Sequence, residues 1–212
     1  MEFEQLLKIV GDEPVFETGL LLAGNVDSFD VHRQLTRWKT AGKIYQLRRG
    51  LYCLAPPYQK VVPHPFLIAN RLQPGSYVSL QSALAHYGMI PEQVPVTTSV
   101  TNGRPQKFNT PLGQFHFRHI LVNWFRNYEL TESGSNQNVF IATAEKALLD
   151  LIYLQPKGET LEYLRSLRLQ TLDRLDFDQF HRLASISNKP KLLRALNVIK
   201  VLAEEEAGYE NL

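Results

Sequence analysis

The sequence predicts an α+β protein in two unequal parts. Residues 1–55 hold short helices followed by a β-hairpin, and residues 66–212 form a larger mixed α+β domain that ends in helices. Three observations predict this. Apolar residues near the amino terminus recur at helical spacing and then give way to a compact run of Ile, Tyr and Leu around a turn. Four of the twelve prolines crowd into residues 56–65, where they oppose both helix and ladder pairing and mark a linker. Beyond them, β-like runs mix with helical stretches before a tail that reads as helix.

Taken in order, Phe3 to Val10 is the first helix, with Phe3, Leu6, Leu7 and Val10 at i, i+3, i+4 and i+7, and Gly11 stops it. A second short helix runs from about Thr18, a candidate N-cap, to Ala23, and Gly24-Asn25 breaks it. The third is the best defined: Asp27 or Ser28 caps it, it runs to about Ala41, and Gly42 supplies the left-handed residue that ends many helices. Val31, Leu35 and Trp38 share one face and are expected to pack on the first two helices, which leaves Arg33, Thr36, Arg37 and Thr40 on the opposite face. Lys43 to Leu54 then reads as two short strands around Arg48-Arg49-Gly50, where Gly50 can take the positive φ of a hairpin turn. Helices followed by such a ribbon are the outline of a winged helix-turn-helix, with the hairpin as its wing.

In the second part, helices are expected near His64 to Leu72, from an N-cap at Ser79 to Tyr87 with Gly88 as the stop, and from Thr143 to Leu154. Strands are expected over Val94 to Val100, Phe115 to Ile120 and Val139 to Ile141. The last fifty residues read as helical throughout, with Pro190 in a first turn.

The formal net charge of +2 conceals a segregation. Residues 1–30 carry seven acids and one base, 31–128 one acid and twelve bases, and 129–212 thirteen acids and ten bases. From Val31 to Pro91 there is no Asp or Glu at all, against eight Lys and Arg. That stretch contains the third helix and the hairpin, and such a surface suits a polyanion. An α-helix fits the major groove of B-DNA, where Arg can bond a guanine edge twice and Thr can meet a thymine methyl or a phosphate. Arg33, Thr36, Arg37 and Thr40 are therefore the candidate readout face, with Asp30 able to pair with Arg33 or to accept from a cytosine amino group. Lys39 and Lys43 are candidate phosphate contacts. Arg48 and Arg49 at the hairpin tip are expected on sugar-phosphate or in a minor groove, where they add affinity and not sequence choice.

Other chemistries are poorly served. Cys53 is the only cysteine, which excludes an internal disulfide and a cysteine zinc knuckle. His116 and His119 would point to opposite faces of a strand, and His32, His64, His86 and His181 are scattered, so no metal site is expected. Gly134-Ser135 resembles the start of a nucleotidyltransferase phosphate loop, but Asp176 and Asp178 lie about forty residues downstream in expected helix, too far for a two-metal carboxylate site. Glu145, Lys146 and Asp150 read as a first-turn acid and an i, i+4 pair on a solvated helix face. No catalytic residue and no cofactor are expected. With no apolar run long enough for a bilayer and no basic leader before an apolar one, a cytoplasmic protein without membrane contact is expected.

Four segments taken together resemble one known family. They are Leu35-Thr36-Arg37-Trp38-Lys39-Thr40-Ala41-Gly42-Lys43-Ile44; Leu47-Arg48-Arg49-Gly50-Leu51-Tyr52; Ser79 to Met89; and Ile141-Ala142-Thr143-Ala144-Glu145-Lys146-Ala147-Leu148-Leu149-Asp150. In this order they resemble the AbiEi-type antitoxins of bacterial abortive-infection toxin–antitoxin systems, over roughly residues 15–155. The resemblance implies a winged helix-turn-helix that represses its own operon by binding operator repeats in double-stranded DNA, and a second domain that counteracts a nucleotidyltransferase-like toxin. It puts DNA reading on Arg33, Arg37, Arg48 and Arg49. A reading from a different class is a protein-interaction module whose basic surface docks a partner protein without binding DNA.

Overall fold

The structure, a computed structural model, describes residues 1–23, 26–134 and 136–210, and is mixed α+β. The N-terminal part comprises α1 (Phe3–Val10), β1 (Phe16–Glu17), α2 (Thr18–Leu21), α3 (Ser28–Thr40), β2 (Ile44–Arg48) and β3 (Leu51–Leu54). The three strands form an antiparallel sheet in the order β1-β3-β2. Helix α1 ends as the sequence predicts: Gly11 takes φ 58° and returns its N–H to the Leu7 carbonyl. Helix α2 is shorter than predicted and starts one residue earlier, with Glu17 and not Thr18 at the N-cap position, while the Gly24-Asn25 breaker lies outside the described residues. For α3 the Asp27 carboxylate accepts from the Phe29 N–H at 2.8 Å, and Gly42 follows at φ 68°. The hairpin turns at Arg49-Gly50 with Gly50 at φ 81°, and a bulge between Gln46 and Arg48 shifts its register.

The second part runs α4 (Pro65–Leu72), β4 (Ser76–Val78), α5 (Leu80–His86), β5 (Val96–Thr101), β6 (Gln106–Thr110), β7 (Gly113–His119), β8 (Tyr128–Ser133), β9 (Gln137–Ala142), α6 (Ala144–Leu154), α7 (Leu161–Ser166), α8 (Phe177–Ile186) and α9 (Pro190–Glu210). Its strands form one mixed sheet in the order β6-β7-β5-β4-β9-β8. Sequence periodicity predicted β5, β7 and β9, but not β4, β6 or β8. Strands β6 and β8 are the two edges of the sheet and expose most of their side chains, so they carry little apolar alternation. The tail is not continuously helical. A 3₁₀ turn at Leu172–Arg174 interrupts it, and Arg168, Thr171 and Asn188 sit at positive φ.

Two hydrophobic clusters hold the chain, and they meet at the hairpin. Leu6, Val10, Phe16, Val31, Leu35 and Trp38 form the smaller one with Ile44, Tyr52 and Leu54. Leu47, Leu51 and Cys53 belong to the larger cluster of the second part. Side chains alternate along a strand, so β3 gives Tyr52 and Leu54 to one core and Leu51 and Cys53 to the other. Burial on both faces is why its sequence reads as an unbroken apolar run. The proline-rich residues 56–65 are anchored to the second part of the chain. Gln137 accepts from the His64 N–H at 2.8 Å and donates to the Val62 carbonyl at 2.9 Å, which ties the segment to β9.

Cys53 reports on this junction. It is fully buried, and burial pushes its thiol up to about 12, with the Tyr45 backbone hydrogen bond opposing weakly. At pH 8 a thiol-specific reagent is expected to leave the folded chain unlabelled and to react fully in denaturant. Rapid labelling without denaturant would show that the hairpin lifts off the larger core.

The clearest correction falls on α6. Lys146 and Asp150 were expected on a solvated face and Glu145 as an exposed cap, yet Lys146 and Asp150 are 0% exposed and Glu145 is buried, accepting from the Asp176 N–H at 3.0 Å. The Asp150 carboxylate accepts from Lys146 Nζ and Trp124 Nε1 on one oxygen, and from Tyr77 Oη (3.0 Å) and Ser79 Oγ (2.8 Å) on the other. Lys146 Nζ also lies over the Trp124 ring, 4.3 Å from its centroid. Burial pushes the Lys146 ammonium below the ordinary lysine range, and the charge of Asp150 pulls it back. The group is enclosed by side chains from β4, α5's N-cap, α6 and the 3₁₀ turn Val122–Trp124, so it joins elements and opens to no cleft.

Candidate nucleic-acid interface

Helix α3 buries Val31, Leu35 and Trp38 in the smaller core and turns the rest outward. Arg33, Thr36, Arg37, Lys39 and Thr40 are all exposed. Arg33 pairs with Asp30 at 2.7 Å across an exposed i, i+3 step, one of the two roles foreseen for that aspartate. Thr36 donates to the His32 carbonyl at 2.9 Å, and Lys39 Nζ to Gln46 Oε1 at 2.8 Å, linking the helix to β2. Lys43, half-buried, holds its ammonium 4.5 Å from the centroid of the Phe3 ring. Arg37 has no ion pair or side-chain hydrogen bond among the described residues.

The two arginines of the hairpin tip part company. Arg49 is exposed and without an ion pair among the described residues. Arg48 is turned back on the protein: its side chain is 28% exposed, Nη1 donates to the Arg49 carbonyl (3.1 Å), Nη2 to the Arg71 carbonyl (3.3 Å), and Glu17 lies 3.8 Å away. The expectation of two freely presented arginines is thus corrected at Arg48, whose two Nη groups are turned onto backbone carbonyls of the molecule while its buried Nε has no partner among the described residues. The bulge in β2 gives the physical reason, since an extra residue re-aims the side chains next to the turn.

Sequence reasoning passed over Phe29. It is 84% exposed, on the same outward side of α3 as Arg33 and Thr36, and free of the smaller core. The signal was present, because an aromatic off the Val31, Leu35 and Trp38 stripe cannot reach the core that the stripe fills.

Asp30 is the one acid paired with a base of this face among the described residues, and two acids of the tail are held elsewhere. Glu205 pairs with Arg165 at 3.0 Å, and Glu206 accepts from the Thr171 and Leu172 N–H groups, so both are engaged on α7 and the 3₁₀ turn of the second part. Of the residues weighed for catalysis, Ser135 lies outside the described residues, and Asp176 caps α8 by accepting from the Gln179 N–H at 2.9 Å. His116 and His119 fall on opposite sides of β7, with His119 Nδ1 at 2.9 Å from the Gly103 carbonyl. Among the described residues no helix is long and apolar enough to cross a membrane. Comparison of the chain with protein-family models and with curated proteins finds no match.

Proposed function

We propose that this chain is a non-enzymatic DNA-binding repressor of the winged helix-turn-helix type, acting in the cytoplasm, that also serves as an antitoxin. One observation carries the DNA reading. Helix α3 presents Phe29, Arg33, Thr36, Arg37 and Thr40 to solvent in a chain segment free of carboxylates after Asp30, with the exposed Arg49 on the hairpin that follows. A helix of this kind enters the major groove, where Arg37 and Arg33 reach guanine edges and Phe29 and the threonine methyls meet thymine. Lys39, Lys43 and Arg49 hold the phosphates, and Arg48 fixes the hairpin that carries Arg49. The antitoxin part rests on the resemblance of the four ordered segments, and its partner would be a nucleotidyltransferase-like toxin.

The test is binding of the full chain to the duplex preceding its own reading frame, against a scrambled duplex of equal composition, between about 50 and 200 mM salt. With Lys39, Lys43 and Arg49 on phosphates, log K should fall against log salt with a slope of about −3, and the scrambled duplex should bind more weakly. Equal binding of both duplexes would remove sequence readout. No binding to either, with retention of an acidic partner protein, would favour a protein-interaction module.

A further inference from the structure

Independently of the DNA reading, we infer that the second part of the chain carries a binding site for a free amino acid, a zwitterion whose ammonium goes to the buried carboxylate of Glu145 and whose carboxylate goes to Arg174. A cavity of about 290 Å³ lies where the start of α6 meets β8, the end of α5 and the 3₁₀ turn Leu172–Arg174. Glu145 forms its floor. That residue is only 7% exposed, and the Asp176 N–H engages its Oε1. Its Oε2 has no hydrogen-bond partner among the described residues and keeps contact with the cavity. A buried carboxylate with an oxygen left over is costly, and a cationic group that enters the cavity removes the cost.

Glu129 and Arg174 are exposed at the rim of the same cavity, and neither makes an ion pair among the described residues. Unpaired groups of both signs around one cavity suit a ligand that carries both charges. A bare amine leaves Arg174 unanswered, and an inorganic anion meets two carboxylates. Met89 and Leu175, both buried, supply an apolar wall for an aliphatic part. The volume is at the small end of the ~300 to 1,000 Å³ usual for ligand sites, which suits an amino acid and not a nucleotide. Tyr87 stands beside the carboxylates: burial, and then the charges of Glu129 and Glu145, push its phenol up to about 12, and it donates to the Ala142 carbonyl at 2.9 Å. The opposite wall is strained. Thr171 sits at φ 55°, ψ 39°, a region that a β-branched residue avoids, and its Oγ1 is buried without a partner. Glu206 of α9 holds it there by accepting from the Thr171 and Leu172 N–H groups at 2.8 and 2.9 Å. Strain kept in place by its surroundings gathers at ligand clamps.

The experiment screens the full chain by thermal unfolding against the proteinogenic L-amino acids, then measures the best of them by titration calorimetry beside its decarboxylated amine and its deaminated acid. At about ten times its Kd the amino acid should raise Tm by about 3 to 6 °C. The amine and the acid should each bind about tenfold or more weakly than the amino acid, because each gives up one charge-assisted contact. Glu145→Gln, which keeps an acceptor for the Asp176 N–H, should weaken the amino acid about tenfold or more. Arg174→Ala should bring the amino acid down to the level of the amine and leave the amine unchanged. Arg174 is exposed, so this second variant keeps its fold and decides the matter even where the glutamine variant does not. Stabilisation by none of the amino acids would overturn the inference, and so would an amine that binds the wild-type chain as tightly as the amino acid does. Equal affinity in the wild type and both variants would put the ligand elsewhere and overturn it too.

Discussion

Asp150→Ala is expected to destabilise the protein by about 3 to 5 kcal/mol, the range for breaking a buried ion pair from one side. The substitution leaves Lys146 Nζ buried without its carboxylate partner, and it orphans the Tyr77 hydroxyl, the Ser79 hydroxyl and the Trp124 indole N–H at once. Set against a total stability of about 5 to 15 kcal/mol for a typical protein, this is a large share. Urea unfolding should show the midpoint falling at an unchanged slope. Tyr77→Phe, which removes one donor and keeps the ring over the cluster, should cost about 1.5 to 3 kcal/mol as the loss of one hydrogen bond to a charged acceptor. A change below about 1 kcal/mol in Asp150→Ala would mean that the cluster is not a tie between α6, β4 and the 3₁₀ turn.

The second large effect concerns Arg37. Its guanidinium is exposed and uncommitted, so truncation to Ala should leave stability nearly untouched and weaken cognate DNA binding by about 1 to 3 kcal/mol, roughly 5- to 150-fold. The loss should concentrate at one base position, which a panel of single-base operator variants measured with wild type and Arg37→Ala would locate. Arg49→Ala should instead weaken cognate and scrambled duplexes alike and reduce the salt slope by about one. If Arg37→Ala also reduced both duplexes equally, Arg37 would be a phosphate contact and readout would have to come from elsewhere on α3.

How much of this was legible in the sequence depends on whether the deciding contacts are local. The ends of α1 and α3 were, because Gly11, Asp27 and Gly42 act on neighbours within a few residues. So was the outward row of Arg33, Thr36 and Arg37, fixed by the period of the helix around Leu35 and Trp38. The burial of Lys146 was not. An i, i+4 Lys–Asp pair has the same spacing on a wet or a dry face, and what dries this one is Tyr77, Ser79 and Trp124, which lie 73, 71 and 26 positions from Asp150. The turned-back Arg48 was equally hidden, since its acceptor at Arg71 is 23 residues away. The short strand β4 escaped notice because three residues show no periodicity, and its pairing with β5 and β9 settles its conformation.

Strand β3 has a practical bearing on how this molecule can be taken apart. One row of its side chains completes the interior of each half, so cutting the chain near residue 55 would strip Leu51 and Cys53 from the larger half and leave an oily wall bare on the smaller one. Fragments made that way would fail for want of a neighbour whatever activity they carried. Separating the roles of the two halves of this protein is a matter for single side chains on an intact scaffold, and any ligand that shifts the packing beneath Leu51 would be felt at the arginines above the turn.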